Sequence, residues 1–378
     1  MSDKTAFSAI DDVVDAAISS KKLVGTVVLM AKDGEIVYRR AAGMADREAG
    51  LPMREDTIFR LASVTKPIVT AATMRLIEQG RIGLDDPVTK WLPDFRPKLA
   101  DGSEPTILIR HLLTHTSGLS YSFEAEDGPY ARAGVSDGVD QPGLPLAENL
   151  KRIASVPLAF APGTGWQYSV AMDVIGGVIE KETGRRLGDA VAELVMQPLG
   201  LGDTGFSVAD RSRLSVAYVD GSPEPKRMSE TETVRLLNGS VTFAPDRIFN
   251  PDSFHSGGGG MAGTAGDVIA ILEALRKGGA PLLSQATVQQ MMTNQIGDLL
   301  EEARPGFGFG YGWAIIRDPA KAGLPVSAGS LQWGGVYGHH WFIDLERKIT
   351  LVGLTNTTPE GMWGSFTLDL KKAMAASF

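Results

Sequence analysis

Apolar residues recur at helical spacing from the start of the chain: Phe7, Ile10, Val14, Ala17 and Ile18 mark one face of a helix over residues 7–22. Lys21 and Lys22 stand at its C-terminal end, where a helix favours positive charge. Two β-rich runs follow, residues 25–31 and 35–42, joined by Asp33-Gly34, a dipeptide suited to a two-residue hairpin turn. The far end has the same character. Residues 311–316, 330–337, 341–344 and 350–354 read as short strands, and Phe366, Leu370 and Met374 then recur every four residues, as on one face of a helix. The two ends therefore predict one antiparallel sheet flanked by N- and C-terminal helices. The middle of the chain is expected to be inserted between them, giving an α/β two-lobed fold: residues 1–60 and 306–378 build the sheet lobe, and residues 61–305 a mostly helical lobe.

Helical periodicity in the middle is clearest over residues 68–79, 147–154, 171–183, 187–196 and 267–277. Residues 121–146 and 203–256 are rich in Gly, Pro, Asp and Ser and carry no assignable element, so they are expected to wall a pocket. The run Gly257–Gly260 reads as a flexible lead-in to the helix near Asp267.

Composition narrows the function. Hydrophobic residues make up 43% of the 378 and charged residues 22%, the balance of a folded globular protein. A net charge of −8 offers no basic field for nucleic acid. No stretch approaches the eighteen or so apolar residues of a membrane span. The N-terminus has neither the basic start nor the apolar stretch of a secretory signal, which favours a cytoplasmic setting. Cysteine is absent, which removes thiolate chemistry and disulfides.

The segment 59–67, Phe-Arg-Leu-Ala-Ser-Val-Thr-Lys-Pro, runs into the apolar helix that starts near Ile68. It places Ser63 at the helix mouth with Lys66 one turn later on the same face. A serine hydroxyl becomes a nucleophile only when a neighbouring base takes its proton. The spacing alone is unspecific, because Ser19 and Lys22 share it at an exposed helix end. Three further segments stand with Ser63 and Lys66: residues 109–119, Ile-Arg-His-Leu-Leu-Thr-His-Thr-Ser-Gly-Leu; residues 162–170, Pro-Gly-Thr-Gly-Trp-Gln-Tyr-Ser-Val; and Trp333-Gly334-Gly335-Val336.

On these segments the chain resembles the serine β-lactamase and penicillin-binding superfamily, and most of all the family VIII carboxylesterases, which look like class C β-lactamases. The resemblance runs from the first hairpin to the last helix. It implies Ser63 as nucleophile, Lys66 as its activator and Tyr168 as the third catalytic residue, with the choice of formal base between the last two left open. It further implies that Trp333-Gly334-Gly335 stands where a lactamase has Lys-Thr-Gly, and that the N–H groups of Ser63 and Val336 form the oxyanion hole.

Two departures bear on the substrate. Val170 replaces an asparagine that a lactamase offers to its substrate amide, and Trp333 replaces the lysine offered to a carboxylate. Together with Gly334 and Gly335 they are expected to line an apolar substrate site favouring uncharged acyl esters. The implied activity is that of a carboxylesterase needing no cofactor. Alternatives on the same site are an acyltransferase or a β-lactamase or D-aminopeptidase type of hydrolase. A penicillin-binding-like protein that only binds a ligand is the alternative of another class. A metal site is not expected: His339 and His340 are adjacent on a strand and face opposite ways, while His111 and His115 lie in the helical segment 109–119 and His255 in a loop.

Overall fold

The computed structural model describes residues 7–236 and 239–378. Its centre is an eight-stranded sheet in the order Phe307–Phe309, Ala314–Ile316, Ser330–Gly335, His339–Asp344, Ile349–Thr355, Gly25–Lys32, Glu35–Asp46 and Leu51–Pro52. Every neighbouring pair is antiparallel. The two ends of the chain thus meet in one sheet, with Gly25–Lys32 beside Ile349–Thr355. The hairpin between the first two strands turns at Asp33 and Gly34, whose φ angles of 53° and 98° are the left-handed values such a turn requires.

Strand alternation explains how the sheet is buried on both faces. Val28, Met30, Phe342, Ile349 and Leu351 point to one side, where they pack with Ile10 and Val14 of the helix Ser8–Ser19 and with Phe366, Leu370 and Met374 of the helix Ser365–Ala376. Val27, Leu29, Ala31, Val352 and Leu354 point to the other. There they merge with Val268 and Leu272 of the helix Ala265–Arg276 and with the large core of the helical region. The helix Thr65–Glu78 runs through that core, buried on nearly all sides. Among the described residues no helix is long and apolar enough to cross a membrane.

Residues 203–256 are more ordered than their composition suggests. They contain the paired strands Tyr218–Val219 and Lys226–Arg227 and the two-stranded ribbon Glu232–Leu236 with Gly239–Phe243. Val234, Leu236, Val241 and Phe243 alternate along the ribbon and cluster with Ala62 and Tyr337, so the ribbon braces the Ser63 turn from behind. Residues 121–146 hold a 3-10 turn at Ser122–Glu124 and a short helix at Pro129–Arg132.

One buried cation lies behind the sheet. Lys371 of the C-terminal helix is 6% exposed and donates to the Gln332 amide oxygen at 2.6 Å, with no carboxylate partner among the described residues. Burial pulls its pKa down to about 8, and it presses the pKa of buried His340 lower still, beyond the effect of burial itself. Between pH 8 and the ordinary lysine value of 10.5 the unfolded chain binds the proton that the folded chain has released, so stability rises with pH across that window and the penalty is complete below it. Lys371→Met is expected to melt above the wild type at pH 7, by about 2 °C for each kcal/mol relieved, with the gap closing towards pH 10.5. Thermal melts of both proteins across that range check it.

Candidate active site

The strand Ile58–Arg60 pairs with Ala262–Thr264 and then breaks off. Leu61 donates its N–H to the Met261 carbonyl, and Ala62 takes a left-handed φ of 44°, a strained value for a residue with a side chain. The 3-10 turn Ala62–Val64 leads directly into the helix Thr65–Glu78. Ser63 consequently stands where strand becomes helix, with Lys66 one turn along on the same face.

Three predicted residues converge. Lys66 Nζ lies 3.0 Å from Ser63 Oγ, and the Tyr168 hydroxyl lies 2.7 Å from the same oxygen. The Lys66 ammonium sits 4.7 Å from the centre of the Tyr168 ring. Lys66 is fully buried and directs its two other donors to the Tyr121 hydroxyl at 2.9 Å and the Gly258 carbonyl at 2.7 Å. An ammonium has three N–H groups, and each has an acceptor. The second Ser-x-x-Lys match is unlike this one. Ser19 bonds back to the Ala16 carbonyl, and Lys22 turns to Ser365 on the surface.

The segment 109–119 holds the tyrosine loop in place. Gly163 and Gln167 donate their N–H groups to the carbonyls of Thr116 and His115, and Val170 donates to that of Ser120. His115 lies just past the helix Ile109–Leu113 with φ 57°; its Nδ1 pairs with Ser169 Oγ at 3.1 Å, and its ring packs edge-on against Tyr168 at 4.9 Å. Burial, reinforced by the Lys66 charge, holds His115 well below the usual histidine pKa, so the imidazole is neutral there.

Trp333 stands beside the tyrosine, ring centres 5.1 Å apart. It is more than an apolar wall, since its indole N–H reaches the Tyr168 hydroxyl at 3.4 Å. Gly335 touches the nucleophile's turn: a Cβ there would lie 2.3 Å from the Leu61 carbonyl oxygen. Gly334 has the Met362 side chain 3.1 Å from where its Cβ would be. The strand ends at Gly335, earlier than its pattern suggested, and Val336 begins the following turn. The N–H groups of Ser63 and Val336 have no protein acceptor among the described residues.

Val170 requires correction. It is fully buried at the start of the helix Ala171–Thr183 and offers a substrate no surface, because the chain turns into the core at that point. The glycine run 257–260 also differs from a flexible lead-in. Gly258 accepts from Lys66 and donates its own N–H to Asp173 at 2.9 Å, while Gly257 abuts the Met172 carbonyl too closely for any Cβ.

No sequence motif marks Tyr121, Gly258 or Asp173 as part of the site. Burial, followed by the neighbouring Tyr168, raises the Tyr121 pKa well above the usual phenol value, so it stays protonated. Asp173 is fully buried and accepts from Ser256 Oγ at 2.7 Å as well as from Gly258. Desolvation raises its pKa despite those hydrogen bonds and the Lys66 charge. An acid within the apolar run Ala171-Met172-Asp173-Val174-Ile175 was the available signal for it.

With this geometry in view, comparison with known proteins is decisive for the family. The sequence profile of the beta-lactamase family matches residues 10–367. The chain belongs to that family. Esterase EstB of Burkholderia gladioli is 52% identical over 99% of this chain and 98% of its own length. A solved structure described as EstCE1, a hydrolase with promiscuous acyltransferase activity, superposes with a TM-score of 0.96 at 42% identity, covering 99% of both chains. Simvastatin synthase (LovD) from Aspergillus terreus, unliganded, superposes with a TM-score of 0.77 at 25% identity over 99% of this chain and 98% of that one. This beta-lactamase family member thus aligns over nearly its whole length with a protein described as an esterase and with one described as a hydrolase with promiscuous acyltransferase activity.

Removing the Tyr121 hydroxyl leaves the buried ammonium one acceptor short. Tyr121→Phe is expected to lose about 1–3 kcal/mol of stability, measured by urea unfolding.

Proposed function

We propose that this protein is a serine carboxylesterase of the family VIII type, acting on small to medium uncharged acyl esters through an acyl-enzyme on Ser63. The carrying observation is Ser63 Oγ held between Lys66 Nζ and the Tyr168 hydroxyl. In this scheme the Lys66–Tyr168 pair acts as the base that takes the Ser63 proton as Oγ attacks the acyl carbon. It returns that proton through Tyr168 to the departing alkoxide. The N–H groups of Ser63 and Val336 hold the oxygen that becomes negative. Water then enters, loses a proton to the same pair and releases the acid. No cofactor or metal takes part in this scheme.

The preference for uncharged esters rests on Trp333, which presents an indole where a lactamase presents an ammonium; the buried Val170 adds nothing to it. The esterase name of the 52% identical relative supports the same reading. A cytoplasmic setting belongs to the proposal, as does the division into a sheet lobe, 1–60 and 306–378, and a helical lobe, 61–305, whose helix Ala265–Arg276 reaches back onto the sheet. An acyltransferase reading is favoured by one observation, the transfer activity ascribed to EstCE1, and needs only an alcohol in place of water in the second step.

Ser63→Ala is expected to lower p-nitrophenyl butyrate hydrolysis by at least about 1,000-fold, and Tyr168→Phe to slow it similarly. Undiminished turnover by Ser63→Ala contradicts the proposal. A panel of short esters, long esters and a chromogenic cephalosporin, run with and without an acceptor alcohol, is expected to rank short esters first and the cephalosporin last. Transesterified product in the alcohol arm assigns the transferase activity.

A further inference from the structure

The N–H groups of Ser63 and Val336 come from parts of the chain more than 270 positions apart, yet they serve one oxygen only if their separation is fixed. Val336 lies in the tight turn between Ser330–Gly335 and His339–Asp344, where Gly335 pairs with His339 across the ladder. Gly338, at φ 109°, closes the turn by donating its N–H to the Gly335 carbonyl. The Thr358 hydroxyl donates to the Val336 carbonyl and holds that peptide from outside. The turn is rigid, and its docking onto the Ser63 segment decides the geometry of the hole.

Two close contacts stand out in that docking. One is the close approach of Gly335 to the Leu61 carbonyl. The other is His339, whose Nε2 lies 2.7 Å from the Arg60 carbonyl oxygen. Arg60 ends its strand, and a carbonyl can only accept, so Nε2 carries the proton. His339 is 1% exposed, its ring packs edge-on against Phe59 at 5.8 Å, and its Nδ1 has no partner among the described residues. Burial pulls its pKa down to about 4, against an opposing pull from the Arg60 carbonyl, and the ring is therefore a neutral donor through the physiological range.

We propose that His339 is a positioning residue for the oxyanion hole, its Nε2–H fixing the Arg60 carbonyl so that the Ser63 and Val336 N–H groups converge. The inference rests on the reading of Ser63 as nucleophile. His339 is buried at 1% exposure and bonds to the Arg60 carbonyl, away from the Ser63 hydroxyl. It acts through Leu61 and Ala62, the two residues between Arg60 and Ser63, on one side and through the Gly335–His339 turn on the other. A loose hole weakens stabilisation of the transition state more than binding of the ester, so the effect falls on kcat.

The test compares His339→Phe, which keeps a flat ring against Phe59 but has no donor, with His339→Gln, which keeps an amide donor. The Phe variant is expected to lose roughly 10–100-fold in kcat with KM within about two-fold, and to slow fluorophosphonate labelling of Ser63 by the same factor. The Gln variant is expected to recover most of both. A Phe variant with kcat within about two-fold of the wild type overturns the proposal, as does an equal loss in both variants. Thermal melts report whether each variant folds, and His339→Asn, whose shorter amide falls short of Arg60, replaces a Phe variant that does not. Ser63→Ala run alongside separates the two readings. Full activity there defeats the nucleophile assignment, whereas an inactive Ser63→Ala beside an unaffected His339→Phe defeats only the role of His339.

Discussion

A lysine ammonium carried out of water must find an acceptor for every N–H, or the fold bears the cost of an uncompensated charge. Lys66 meets that demand with Ser63 Oγ, the Tyr121 hydroxyl and the Gly258 carbonyl, three oxygens drawn from the turn before the helix Thr65–Glu78, the segment leading into Ser122–Glu124 and the glycine run before Ala262–Thr264. Each is held in turn. Gly258 is tied to Asp173, Tyr121 stacks on Phe123 with ring centres 4.7 Å apart, and Ser63 is braced by a strained Ala62. Burying one cation therefore organises segments that share no sequence neighbourhood, and the same arrangement leaves the serine oxygen facing a second phenol.

Periodicity made the scaffold legible. The two chain ends show alternating or near-continuous apolar runs because their strands lie in a sheet covered on both faces, and the flanking helices show one apolar side each. The ribbon formed by Glu232–Leu236 and Gly239–Phe243 has the same alternation, yet its surroundings of Gly, Pro and Asp hid it. Composition there described the connecting turns, while the packing of Val234, Leu236, Val241 and Phe243 determined the structure.

In the site, residues joined by short spacing were readable and residues joined only by folding were not. Ser63 and Lys66 are three apart, and Tyr168 sits in a recognisable loop. Tyr121 and Gly258 reach Lys66 across 55 and 192 positions, a relation without a local pattern. Val170 shows a different limit. Its side-chain type was plain, but the direction it points depends on where the helix Ala171–Thr183 begins. Trp333 was read for its apolar area, whereas its indole N–H is what meets Tyr168.

The strand Ser330–Gly335 has Trp333 on one face and Gln332 on the other, and Gln332 is the partner of Lys371. The Trp333 indole beside Tyr168 and the outer helix of the molecule are separated by the thickness of a single peptide chain. In the proposed scheme, sequence drift on that outer helix has only this strand to cross before it reaches the indole that faces the ester. A lineage could retune its ester preference through residues that no substrate ever meets.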